Sequence, residues 1–296
     1  MMPDPTQPVR DDRTTARSDD RTRGNDVAIL PYLHIARLTL LRLMAYRMRF
    51  VTGIATYAIF VGGQFFIWKA IFAARGEGAE IGGLGLVQLT TYLAVGYIAR
   101  SAYFTNLDSE IAAKFQNGDV ALDLLKPINP LGQWLALAVG ECSFRVLFFA
   151  LPMACVLVPV FGVQPPTGDG AWQFPLLFVL AFLINHELNV AAGIACFFLE
   201  EVSALTSLKR NLIMLLSGLM VPLHFLPDAI AATVSWLPFA LISYWPVLAW
   251  VGGLGTHGHP GFAQVAALGL GWLLALHLGN RWLWARARNR LEVQGG

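Results

Sequence analysis

The sequence predicts an all-α membrane protein with six transmembrane helices, and three observations carry that reading. Apolar stretches occupy residues 51–73, 86–103, 134–161, 172–199, 212–226 and 262–284. Most are near or above the ~20 residues a helix needs to cross a bilayer core. Of the 296 residues, 56% are hydrophobic and only 14% charged, too little polar surface for a water-soluble domain of that length. The basic residues gather on one side of the spans. Arg37, Arg42, Arg47 and Arg49 precede the first; Lys114 and Lys126 separate the second and third; Lys209 and Arg210 separate the fourth and fifth; Arg281, Arg286, Arg288 and Arg290 close the last. The opposite loops hold little beyond Arg75. The positive-inside rule then places both termini and two loops in the cytoplasm, consistent with an even number of spans. The net charge of +2 says little beside this distribution.

Residues 1–30 are expected to be a disordered cytoplasmic tail, and residues 31–296 a single transmembrane domain. The tail is rich in Asp, Arg, Thr and Pro, cannot bury enough apolar surface to fold, and has no apolar h-region of a signal peptide. Residues 32–50 read as a helix lying along the membrane surface: Leu33, Leu40, Met44 and Met48 share one face, and Arg42 and Arg49 oppose it. Arg37 falls on the apolar side, from which an arginine can snorkel to headgroups.

The cytoplasmic loop at residues 106–131 carries two short helical signals. Asp108 or Ser109 can cap the first, Ile111 and Phe115 lie a turn apart on it, and Asn117-Gly118 can end it. Asp119 can cap the second, which carries Val120, Leu122 and Leu125 before Lys126-Pro127 stops it. Apolar knobs on such a hairpin require cover from the membrane face or from a partner protein. Beyond the fifth span, residues 221–259 set prolines around apolar pieces too short to cross the bilayer, which predicts re-entrant or interfacial helices on the outer side. Trp236, Tyr244, Trp245 and Trp250 suit an aromatic belt there. In the last span Ala263, Ala267, Gly271, Ala275 and Gly279 recur at every fourth position, a spacing that lets another helix approach closely.

Catalytic and cofactor motifs are mostly missing. There is no G-x-x-x-x-G-K-[ST] phosphate loop, so the chain shows no such means of binding ATP. His186-Glu187 begins an H-E-x-x-H string, but Val190 stands at the second His position and no zinc site results. Cys142, Cys155 and Cys196 lie within spans, have no metal-ligand spacing and read as small packing residues. Nothing suggests nucleic-acid binding. The charged groups within spans say more, since each costs about 2.5–3.5 kcal/mol at a helix centre. Arg145 and Glu187 both lie roughly 17 Å from the cytoplasmic surface at 1.5 Å per residue. They are expected to form an intramembrane ion pair, with Glu141, one turn below Arg145, as the competing acid. Such a pair either fixes helix packing or is a polar element of a substrate path. Asn185, His186 and Asn189 add polarity at similar depth, lining a wet cavity or bonding a neighbouring helix.

Local sequence adds a family resemblance. Asn117-Gly118-Asp119-Val120-Ala121-Leu122-Asp123-Leu124-Leu125-Lys126-Pro127 resembles the "G, short apolar helix, L-L-[KR]-P" stretch of a bacterial subgroup of type-2 ABC exporter permeases that includes proteins assigned to viologen export. Ser217-Gly218, Pro222-Leu223, Phe225-Leu226-Pro227, Leu237-Pro238-Phe239 and the closing Leu291-Glu292-Val293-Gln294-Gly295-Gly296 resemble it in the same order. The resemblance implies a non-enzymatic permease subunit in the bacterial inner membrane. It implies a partner dimer of ABC ATPases that binds ATP and Mg, and pairing with a second permease copy or a sister permease. Ile111, Phe115, Asn117, Gly118, Asp119, Leu122, Leu125 and Lys126 would then form the ATPase-coupling element. The competing reading is an ion-gradient-driven secondary transporter using Glu187, His186 and Arg145. A lipid, a lipophilic cation or drug, and a peptide all remain open as cargo.

Overall fold

The computed structural model describes residues 13–45, 49–76, 80–81, 83–199, 202–256 and 258–294. It is 79% helix, with no strand among the described residues beyond an isolated bridge between Ile81 and Leu84. Helix α1 runs Arg13–Met44, α2 Arg49–Arg75, α3 Leu86–Tyr103, α4 Leu107–Asn117 and α5 Val120–Leu124. Next come α6 Pro130–Arg145, a π turn Val146–Ala150, α7 Leu151–Phe161, α8 Gly170–Ala195 and α9 Val202–Leu216. The chain closes with α10 Asp228–Ser235, α11 Tyr244–Trp250 and α12 Phe262–Gln294. Residues 1–12 of the expected tail, Arg47, Met48, Gly295 and Gly296 lie outside the described residues.

Among the described residues, four helices are long and apolar enough to cross a membrane: Gly53–Arg75, Pro130–Phe161, Gly170–Phe198 and Phe262–Arg290. The other two expected spans correspond to α3 and, in part, α9. Helix α3 has 18 residues, and Gln88, Thr90, Thr91, Arg100 and Ser101 lower its hydropathy. It is buried on nearly every side, so its polar groups meet protein instead of lipid. The fifth expected span, residues 212–226, is displaced: α9 starts at Val202 and stops at Leu216. Gly218 is the reason, since its φ of +70° is left-handed and breaks the helical path.

Helix α8 is the most buried of the long helices and packs on α12, α4 and α11. Gly269 of α12 brings the two backbones together at Leu180, where an added Cβ would meet the leucine side chain. The small residues Gly271 and Gly279 have open space beside them, so the four-residue stripe faces away from this contact. The α6–α7 helix crosses with a π turn at Val146–Ala150. Pro152 follows immediately and cannot donate to the carbonyl four residues back, which accounts for the widened turn.

The backbone of α1 is helical from Arg13, earlier than the tail's composition predicts. Propagating an existing helix costs little once a packed portion has nucleated it. That packed portion lies along α6. Gly132 faces the Tyr32 ring, and Gly140 sits against the Ala36 carbonyl and Thr39. The segment after α9 folds back as short helices over the start of α8. Tyr244 donates its backbone N–H to Ser217, and Trp245 donates its indole N–H to the Ser235 carbonyl at 3.2 Å. Tyr244 and Trp245 are therefore core residues and not part of an aromatic belt, whereas Trp236 is exposed.

Substituting Gly140 with Val should loosen α1 from α6, because the new Cβ overlaps backbone that no rotamer change can move. The expected cost is about 1–3 kcal/mol, read as a lower melting temperature in detergent and faster proteolysis within α1.

Candidate functional site

The candidate site is the end of the bundle where α4 and α5 form a hairpin. Gly118, at φ +77°, closes α4 in the left-handed conformation that lets α5 turn back. Ile111, Phe115 and Val120 are buried against the rest of the chain. Phe115 packs on Phe197 and Trp284, with ring centroids 4.9 and 6.2 Å away. Ile111 sits against Gly193 of α8, so close that an added Cβ there would lie 2.7 Å from the Ile111 Cβ. The expectation that Ile111 and Phe115 protrude is thus corrected: their face of the amphipathic α4 docks on α8 and α12 of the same chain. Leu122 and Leu125, 60% and 81% exposed, are the free apolar groups, with Leu124 beside them. Asn117, Gly118 and Asp119 form the exposed tip.

Two carboxylates fix this hairpin. Asp123, a buried residue of α5, accepts from Lys114 at 2.6 Å and from Lys126 at 2.7 Å. Lys126 therefore braces the hairpin from within. Burial pushes the Asp123 carboxyl up, but the hydrogen bonds and charges of the two lysines outweigh it and hold the group below its ordinary value. Asp108 does not cap α4. It is buried and accepts from the Lys209 ammonium of α9 at 2.6 Å. Lys209 also donates to the Asn189 side-chain oxygen on α8. Asn189 donates to the Thr105 hydroxyl at 3.1 Å, and Asn185 to the Tyr103 carbonyl at 3.0 Å. One network thereby joins the end of α3, the start of α4, the middle of α8 and the body of α9. Sequence reading placed Asn185 and Asn189 as polar but missed Asp108 and Lys209, which are 101 positions apart with no local spacing to reveal them.

The expected Arg145–Glu187 pair does not form. Arg145 reaches back one turn to Glu141, at 2.8 Å, the competitor the helical spacing allowed. Glu187 instead meets α12. Its carboxylate lies 3.0 Å from His277 Nδ1 and accepts from Asn280 at 2.6 Å, while Asn280 also donates to the Glu187 carbonyl. These contacts fasten α8 to α12. His186 is buried among other side chains, and its Nδ1 has no partner among the described residues. Among the described residues no group of His, Cys, Asp or Glu could hold a metal ion.

A second feature opens beside this end. Thr56, Tyr57 and Phe60 of α2, Tyr97, Arg100 and Phe104 of α3, and Arg210 and Met214 of α9 enclose a cleft of about 260 Å³ that continues to Leu219 and Met220.

The Asp123 clamp predicts a pH signature. A carboxyl held below the ordinary 3.8 contributes stability that is complete above that value and is lost as pH falls through its folded value. Asp123→Asn should cost about 1–2 kcal/mol near neutral pH, the Lys126 contact being discounted because that side chain is half exposed. Melting curves of the variant and the natural protein should converge as the pH drops below the ordinary 3.8 and on through the folded value of the Asp123 carboxyl.

The model of a family described as ABC-2 family transporter protein matches residues 58–295. No curated protein and no solved structure shows a significant match.

Proposed function

The chain belongs to the ABC-2 family of transporter proteins, and on that footing we propose that it is the membrane-spanning subunit of an ATP-driven exporter. Membership makes it a permease and implies an ABC ATPase as partner. The proposed bundle has six spans, with α3 and α9 completing the four long apolar helices. The hairpin end faces the cytoplasm. Lys114, Lys126, Lys209, Arg210, Arg281, Arg286 and Arg288 gather toward that end, whereas Arg75 ends α2 at the other. The proposed location is a bacterial inner membrane, with both termini inside. On α1 the exposed Leu33, Leu38 and Leu41 suit the headgroup boundary.

The observation that carries the coupling role is the two-sided build of the hairpin. One side is locked into the chain through Phe115, Ile111, Asp108 and Asp123. The other presents Leu122, Leu124 and Leu125 with no cover among the described residues. An apolar ridge on a braced lever suits a cleft on an ATPase dimer, which would bind the ATP and Mg. This chain would hydrolyse nothing and pair with a second copy or a sister permease. Transmission requires the nucleotide to favour one arrangement of the ATPase over another, and a rigid hairpin passes that preference to α8 and α9. The alternative of an ion-gradient transporter draws no support from Arg145, His186 and Glu187. Arg145 is bonded to Glu141, and Glu187 to α12.

The double substitution Leu122→Asp, Leu125→Asp should lower the yield of co-purified ATPase about tenfold or more, as loss of two interface anchors does, and leave the permease melting temperature unchanged. Phe115→Asp should instead destabilise the permease itself. Normal complex yield from the double variant would remove the hairpin from this role.

A further inference from the structure

The α2–α3–α9 cleft contains a charge with no counterpart among the described residues. Arg100 is 8% exposed, yet its guanidinium makes no hydrogen bond and has no carboxylate within ion-pairing distance among the described residues. The Phe104 ring, 5.6 Å away, is a cation–π neighbour and supplies only part of what burial removes. Asp108, which lines the same polar cavity, is already engaged by Lys209. Among the described residues, Arg100, Lys209 and Arg210 stand around the small polar cavity at this end against one carboxylate, that of Asp108, an excess of two positive charges. A few residues away the Tyr97 hydroxyl is buried without a hydrogen-bond partner among the described residues. Two buried donors, a cation and a phenol, thus wait on one wall of the cleft.

The rest of the cleft has the opposite character. From the two arginines it runs along Tyr57, Phe60 and Met214 to Leu219 and Met220. Phe60 and Tyr57 stand edge-on to Tyr97, with centroids 5.3 and 6.3 Å away, giving a rigid aromatic wall. Methionines add adaptable apolar surface. We propose that this cleft binds an amphiphile with an anionic headgroup, its oxygens on Arg100 and Arg210 and its chain along the aromatic and methionine wall. A guanidinium recognises phosphate or carboxylate oxygens with directed hydrogen bonds. The same two arginines repel a lipophilic cation, which takes that class off the cargo open to an apolar path. The proposal rests on the permease reading above and gives its cargo a chemical class. Whether the amphiphile arrives as a bilayer lipid or as a free anion inside the cell, the headgroup chemistry is shared.

The test uses the permease co-purified with its ATPase in nanodiscs of zwitterionic lipid, with radiolabelled dodecyl phosphate as the probe. Dodecyl phosphate should bind saturably, and dodecyltrimethylammonium should not displace it at equal concentration. Inorganic phosphate should compete at least a hundredfold more weakly, because it lacks the chain. Arg100→Gln and Arg210→Gln should each weaken binding about tenfold or more, with Arg100→Lys retaining part of it. Phe60→Ala should weaken binding of dodecyl phosphate and leave that of butyl phosphate unchanged. Equal binding of the matched cation, equal competition by inorganic phosphate, or an Arg210→Gln variant that binds as the natural protein does would each overturn the proposal. Arg210 is exposed, so its variant serves even where Arg100→Gln fails to fold. Lost dodecyl phosphate binding with normal ATPase yield would count against this proposal alone, whereas absence of the ATPase complex with binding intact would count against the permease reading beneath it.

Discussion

An ammonium and a carboxylate buried side by side stabilise a fold only while both stay in place, since removing either strands the other in a poor solvent for charge. The Lys209–Asp108 pair imposes that condition on this molecule. Lys209 comes from α9, Asp108 from the first turn of the hairpin, and Asn189 of α8 completes the ammonium's shell. None of the three helices can shift without uncovering a charge. The pair therefore does more to define the hairpin's position than the apolar contacts around it, which tolerate small slippage. Breaking it is costly and re-forming it is specific, so the hairpin should move with α8 and α9 as one body.

The apolar contacts set the distance. Gly193 lets Ile111 seat against α8, and Phe115 fills the space between Phe197 and Trp284. Trp284 is shared with Trp134 of α6, at a centroid separation of 5.3 Å. Rings from α4, α6, α12 and the turn that follows α8 thus meet at the hairpin's inner face, which is consumed in building the permease. What remains for a partner is the short α5 and its flanks. The division explains why a segment with an apolar sequence on both helices exposes that character on only one.

How much of this was legible in the sequence depends on whether the signal is local. The hairpin was, because Gly118, Pro127 and the intervening apolar pattern all act within a few residues. The Glu141–Arg145 pair was available in the same way, as an i,i+4 spacing, and lost out to Glu187 only because matched depth suggested a partner on another helix. Depth alone does not say which faces meet. Glu187 turns to α12, where Asn280 supplies two donors, and nothing near Glu187 in sequence points ninety residues on. The stop of α9 was misplaced for a different reason. Residues 212–226 carry only Ser217 and His224 as polar side chains, so hydropathy cannot see that Gly218 turns the chain. Tyr244 and Trp245 looked like interface residues by type, but the fold back from Gly218 buries them.

Lys209 and Arg210 connect the two regions that matter most. Neighbours on a helix point about 100° apart, so one faces the hairpin and the other the cleft. Lys209 is held by Asp108, and Arg210 lines the cleft with Met214 one turn further along. Arg100 stands between, on the wall common to the polar cavity and the cleft. A rotation of α9 driven through the hairpin would turn Arg210 relative to Arg100 and so change the spacing of the two guanidinia. An anion held by both would feel that change at once, whereas a purely apolar cargo would feel only the slower loss of wall contact. For the proposed anion, charge at this junction would offer a direct link between hairpin position and affinity, with no relay through the distant half of the bundle.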